Sequence, residues 1–532
     1  MSSTAIDYSK EDFSAFRDLP KSFSDFFSAP AARATNEITL GKQNHEISEQ
    51  TLEEYEEHMT EVNKMSRFHK YLPIFTTGAG LFSEGYINNS IGIASTCLSA
   101  LYPKEYKHSH AIKNVSSIAF VGIVVGQLSF GYISDYYSRK AAMLWGTSLL
   151  VLFTILCSGA WGAHGSVGGM LAAITAYRFF MGIGIGSEYP SGSAACAEAS
   201  SLLPPGKRNR YFAIFTNFMI DSGFVISAFV PMVLLWIFTP KHLTIIWRLT
   251  IGLGAIPPIS LFILRLYYTE GKTFQKTKLN SNVPYLAIIK FYWFRLFIIA
   301  IIWFIYDLCA YGFGIFSSYI IAELFDSADM YKVFGWNVVF NLFYIPGAFL
   351  GAYSADYFGP RITLVVGVTL QSIIGFILAG CFESALKHIG GFTVAYGIFM
   401  TLGEFGPGDC IGLLASKTSA TPIRGQYYGI AAAIGKVGAF IGTYCFTPLT
   451  DKHGVKSAYW LASSLGIFSA ILAYFFLPAV DQGAMQREDA KFIAYLKSIN
   501  YDVSQLGVHD GENVSVDEED AQNESFTEVS KS

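Results

Sequence analysis

The chain has 532 residues, of which 52% are hydrophobic, 16% aromatic and only 15% charged. Soluble domains carry about 25% charged residues, so this deficit, with a positive mean hydropathy, excludes an ordinary soluble protein and points to a polytopic membrane protein. The net charge of -4 excludes the basic footprint of a nucleic-acid binder, and seven scattered cysteines without a CxxC pair argue against a metal or redox site.

In chain order, residues 1–70 read as a polar cytoplasmic tail, with no signal peptide and no sustained periodicity. Apolar runs of ~20 residues, each enough to cross about 30 Å of hydrocarbon, then recur near 71–100, 114–134, 141–162, 169–200, 211–238 and 244–266. After a linker over 267–294 they recur near 295–320, 333–356, 361–383, 390–416, 427–448 and 456–477. The expectation is an all-α membrane protein of twelve helices, in two six-helix bundles over 71–266 and 295–478. Residues 479–532 read as a solvated acidic tail in which Ser515 is a candidate phosphorylation site.

With both tails in the cytoplasm, roughly fourteen Lys/Arg fall in inside loops and about eight in outside loops. The largest basic cluster (Arg265, Lys272, Lys276, Lys278, Lys290, Arg295) falls at the central linker. The halves echo each other at an offset of about 221 residues, matching Gly126 to Gly347, Asp135 to Asp356 and Glu188 to Asp409. Paired repeats with a site between them form a transporter architecture.

"GYISDYYSRKAAM" (Gly131 to Met143) lies between the second and third helices, where Asp135 and Arg139 can pair. It resembles the G-x-x-x-D-x-x-[GS]-R-[RK] loop signature of the major facilitator superfamily. The second copy, "AYSADYFGPR", keeps Asp356, Gly359 and Arg361 but has Ala352 at the glycine position. "RFFMGIGIG" (Arg178 to Gly186) resembles the superfamily's R-x-x-x-G-x-G-x-G signature in the fourth helix. The resemblance gives Asp135, Arg139, Asp356, Arg361 and Arg178 a gating role outside the substrate site.

"GIGIGSEYP", "WFIYDLCAYG", "FGPGD" and "GKVGA" are similar to the phosphate:proton symporter branch, over roughly residues 70–480. "SEGYINN", "DYYSRK", "KFYWFRL", "GIFSSYII", "GPGD" and "GKVG" resemble more closely the fungal glycerophosphoinositol and glycerophosphocholine permeases. Sugar porters fit worse, since "YYTEGKTF" and "LPAVDQG" stand where they carry PESPR-like and PETKG runs.

Several charges lie inside apolar runs, where they are costly unless partnered or functional. Trp303, Asp307 and Tyr311 share one helix face at i, i+4, i+8. The resemblance implies that this face touches substrate and that Asp307 carries the proton. Lys436, deep in the eleventh helix, is the candidate phosphodiester ligand; the alternative is a permanent pair with Asp221 of the fifth helix. Glu84 and Glu188 take the places of acids in the branch resembled and join Asp307 as proton-coupling candidates, against simple ion pairing. Asn88, one turn beyond Glu84, and Tyr189 are candidate substrate contacts.

The departures from phosphate porters concern the substrate. Gly408 and then Asp409 stand where those porters have Asn, Asp221 stands for Gln, and Ile87 for a second acid. The site should be wider and less suited to bare phosphate. Asp221 and Asp409 would bond polyol hydroxyls or face a choline cation, which tilts the expectation slightly towards glycerophosphocholine. The resemblance thus implies a proton-coupled glycerophosphodiester importer of a fungal plasma membrane, working as a single copy without cofactor or metal. Inorganic phosphate:proton symport and a non-transporting nutrient sensor on the same fold are the alternatives. No P-loop, nucleophile elbow or metal spacing suggests an enzyme.

Overall fold

The computed structural model describes residues 12–19, 22–57, 71–204, 206–271, 274–275, 283–315, 329–386 and 389–503. Among them ten helices are long and apolar enough to cross a bilayer. The chain begins with α1 (Phe23–Glu57), then α2 over 71–78 and α3 (Leu81–Leu101), which together make the first span. α4 (Ala111–Tyr136) and α5 (Arg139–Ser158) follow. The fourth span runs through α6 (Val167–Ser187), a π-helical turn over Glu188–Ser193 and α7 (Ala194–Ser201). α8 (Arg208–Phe215) with α9 (Asn217–Phe238), and α10 (Leu243–Leu253) with α11 (Ile256–Leu266), complete the first half.

The second half repeats this plan. It comprises α12 (Tyr285–Ile315), α13 (Met330–Leu342) with α14 (Tyr344–Tyr357), and α15 (Pro360–Leu386). α16 (Ile389–Gly403) leads through a π turn (Glu404–Gly408) into α17 (Asp409–Lys417), followed by α18 (Arg424–His453) and α19 (Lys456–Phe476). The first and tenth expected spans are not among the ten apolar helices. Glu84, Asn88 and Asn89 dilute the one, and Glu404, Pro407 and Asp409 the other. The prolines at 190 and 407 sit within the two π turns, where a missing N–H is absorbed by a wider ring.

Large apolar side chains such as Trp145, Leu152 and Ile237 face outward. Charged residues such as Glu84, Asp307 and Lys436 are buried. α12 and α18 pack closely because a Cβ at Gly438 would run into the Phe304 carbonyl, and one at Gly442 into that of Leu308. This close approach brings the charged residues of the two helices together.

The terminal segments depart from the solvated tails expected. Arg17 stacks on Phe291, its guanidinium 3.6 Å from the ring centroid, and lies 3.4 Å from Glu488. α1 buries Glu37 against Arg361, Nε to Oε2 3.0 Å. At the other end α20 (Ala484–Ser498) buries Phe492 and Leu496 completely. Both segments lie on one face of the molecule, called here the terminal face. The basic linker is also shorter than expected. α12 already begins at Tyr285, and Arg295 is buried against Asp18 and Glu488, 2.9 Å from the latter. The acidic end with Ser515, and residues 316–320 of the expected seventh span, lie outside the described residues.

Candidate substrate and proton site

Lys436 projects from α18 into the space between the halves and is 1% exposed. Its Nζ lies 3.0 Å from Asp307 Oδ2 of α12 and 3.0 Å from Glu84 Oε1 of α3. It also donates a hydrogen bond to the Tyr311 hydroxyl at 2.8 Å, and that hydroxyl donates to Glu84 Oε1 at 2.7 Å. One ammonium thus holds a carboxylate from each half. Its partner is not Asp221, so the ion pair weighed from the sequence does not form. The Tyr311 and Tyr189 rings lie 4.2 and 5.1 Å from Nζ and complete a cationic box. Trp303 and Tyr428 close it with rings 5.4 Å apart.

Apart from Glu84, these residues border a cavity whose lining also includes Asn88, Asp221 and Asp409. A second polar cluster lies beside the first. Glu404 of the tenth-span π turn accepts hydrogen bonds from Tyr306 (2.9 Å) and Asn217 (3.1 Å). Both carboxylate oxygens of Asp221, and both side-chain atoms of Asn88, are buried without a hydrogen-bond partner. The sequence reading missed Glu404, Asn217 and Tyr306. An acid only five residues before Asp409, in the same apolar run, was the available signal for Glu404.

The remaining candidates lie elsewhere. Glu188 is not brought to the cavity. Arg265 Nη1 and Nη2 each donate to its carboxylate at 2.6 Å, and Thr147 donates at 3.3 Å. Arg265 is fully buried there and is not a loop cation. Arg178 donates to the Val115 carbonyl at 2.7 Å, bracing α6 on α4.

The loop motifs make contacts between the halves on the terminal face. α4 ends at Tyr136, and Ser138 caps α5 by accepting from Ala141, so Asp135 and Arg139 meet at 3.1 Å across the turn. Asp135 also accepts from the backbone N–H groups of Gly425 (2.9 Å) and Gln426 (2.6 Å), in the other half. Arg139 and Arg424 share Glu198, at 2.8 and 3.0 Å. Asp356 accepts from Asn209 N–H (2.9 Å) and Gln482 (2.8 Å), whereas Arg361 turns to Glu37. On the opposite side of the cavity, Asn89 donates to Asn341 at 3.0 Å. Hydrogen bonds therefore join the halves both on the terminal face and between Asn89 and Asn341.

One cation faces the carboxyl groups of Asp221, Asp307, Glu404 and Asp409 in the lining, with Glu84 just behind. The cavity can bind an anion on Lys436 only by loosening the carboxylates that already hold it.

Two helical halves around a charged cavity define a secondary transporter of the major facilitator fold. The solved proton:xylose symporter bound to 6-bromo-6-deoxy-D-glucose has this fold, with a TM-score of 0.64 at 17% identity, over 81% of this chain and 99% of that one. The model of the family described as "Sugar (and other) transporter" matches residues 73–283 and 273–487. The major glycerophosphoinositol permease of Candida albicans is 51% identical over 92% of this chain and 94% of its own length. The glycerophosphodiester transporter of that organism is 50% identical over 94% and 96%, and its glycerophosphocholine permease 50% over 93% and 94%. The chain belongs to this family of multi-pass membrane transporters, together with these permeases.

Proposed function

We propose that this protein imports glycerophosphodiesters together with protons across the plasma membrane, as a single copy with both chain ends in the cytoplasm. The observation that carries the reading is Lys436, held between the halves by Asp307 and Glu84. In the empty carrier these carboxylates neutralise the ammonium. A proton arriving on Asp307 or Glu84 weakens that hold and frees Lys436 for the phosphodiester oxygens. Proton and anion enter together because neither the ammonium nor the carboxylates are stable alone in this space. Breaking the Asp135 and Asp356 latches then opens the terminal face, and release of substrate and proton restores the ion pair. Glu188, committed to Arg265, has no part in this exchange. The names of the three permeases support the substrate class.

The test is uptake by cells lacking their own permeases. Labelled glycerophosphocholine, glycerophosphoinositol and phosphate are compared with and without a protonophore. Diester uptake that collapses with the proton gradient is the expected result. Uptake of phosphate alone would replace this reading with phosphate symport, and binding without uptake would replace it with a sensor.

A further inference from the structure

In the first half, acids of its own bundle hold Arg139. Asp135 lies 3.1 Å from its guanidinium and Glu198 of α7 lies 2.8 Å from it. The second copy of the motif is completed differently. Asp356 turns to Asn209, Gln482 and Arg210. α17, the counterpart of α7, carries no acid after Asp409. Arg361 is fully buried and takes its carboxylate from outside the repeat. Glu37 of α1 accepts from the Arg361 backbone N–H at 3.4 Å and from its Nε at 3.0 Å.

The seat is shaped for this contact. Gly41 lies one turn beyond Glu37 on α1, and a Cβ there would stand 2.2 Å from the Tyr357 carbonyl oxygen. Gly359, with a φ of 89°, faces the other way, and a Cβ on it would stand 2.4 Å from the Glu37 side chain. Glycine on each side lets α1 close onto the turn between α14 and α15. The contact also reaches α19, because Arg33 donates to the Phe475 carbonyl at 3.3 Å and Arg361 to that of Tyr474 at 3.0 Å. The same turn presents Asp356 and the Ala355 carbonyl to Asn209 of the first half, each at 2.9 Å.

We propose that Glu37 is a positioning residue for the gate on the terminal face, and that α1 is the brace that carries it. The brace ties the α14–α15 turn to α19 and so fixes the place where Asp356 meets Asn209. With α1 lifted, Arg361 loses its carboxylate, the turn is free to shift, and the halves part more readily there. A segment outside both bundles, with no residue in the cavity lining, thus sets how easily the gate opens.

The full chain is purified in detergent and measured without substrate, so that the result does not depend on the identity of the cargo. Spin labels replace the exposed Leu202 of the first half and Leu286 of the second, with Cys381 and Cys445 removed. Hydrogen exchange over residues 30–45 reports whether α1 is docked. Gly41→Leu favours the helix itself but blocks its seat, and Glu37→Lys sets another cation against Arg361. Both should release α1 and raise the longer-distance population by roughly fivefold or more. Glu37→Gln keeps an acceptor for Arg361 and should stay close to the unaltered protein. Release of α1 with unchanged distances would overturn the proposal, since the gate would then be indifferent to the brace. So would equal opening in Glu37→Gln with α1 still docked. Retained protection of α1 in both Gly41→Leu and Glu37→Lys would overturn the seat itself.

Discussion

The ammonium of Lys436 lies 3.0 Å from the carboxylate of Asp307, and both are all but excluded from the surface. Removing one member of a buried pair leaves the other uncompensated, at about 3–5 kcal/mol. Lys436→Ala should abolish uptake and lower the thermal midpoint in detergent. Adding Asp307→Asn should restore much of that midpoint without restoring uptake. If the double variant were no more stable than the single one, the pair would not be the unit inferred here.

Glu188 gives the opposite pattern. Its carboxylate is clamped by Arg265 and lies off the cavity lining. Glu188→Gln should destabilise the protein, by an amount on the order of the same 3–5 kcal/mol, and reduce uptake. The uptake that remains should keep the pH dependence of the unaltered protein. A changed pH profile at unchanged stability would return Glu188 to the proton path.

Asp135 reaches two backbone N–H groups of the opposite half. Asp135→Asn keeps the shape but loses the charge-assisted bonds, each worth about 1.5–3 kcal/mol. The halves should part more readily on the terminal face. Spin labels at the surface positions of Tyr137 and Tyr357, with the exposed Cys381 and Cys445 replaced, should show a longer distance population in the variant. An unchanged distribution would count against a latch at this position.

Glu37 supplies a pH dependence outside the membrane. Burial pushes its carboxyl up to about 7, despite the Arg361 guanidinium beside it. The docked form therefore holds a proton that the undocked form releases at lower pH. Docking is favoured fully below the ordinary carboxylate range and weakens as pH rises towards about 7. Hydrogen exchange along residues 30–45, corrected for its intrinsic rate, should show less protection at pH 7.5 than at about pH 5. Glu37→Gln should flatten that difference, and a persistent slope would point to another group.

The spans were legible because lipid demands long apolar runs, and Lys436 and Asp307 stood out as charges within them. Glu84 was found in the same way. Glu188 was found as well, but not its pairing with Arg265. Its partner Arg265 lies at the end of a span, where a cation reads as part of the following loop. Glu404 was passed over in a run rich in glycine, where Asp409 drew the attention. The partner of Arg361 had no local signal, since Glu37 lies 324 residues away. In α1, Glu37 and Arg33 make polar contacts to the second half, which an apolar periodicity does not reveal.

The amino-terminal segment belongs to the first half by sequence but touches the second. Arg17 meets Phe291 and Glu488, Arg33 donates to the Phe475 carbonyl, and Glu37 takes Arg361. The segment can therefore ride with the carboxyl-terminal body as a passenger while the other body swings. Fluorophores on α1 and α20 would then travel together, and energy transfer between them would stay silent through a turnover that a pair spanning the two bodies would register.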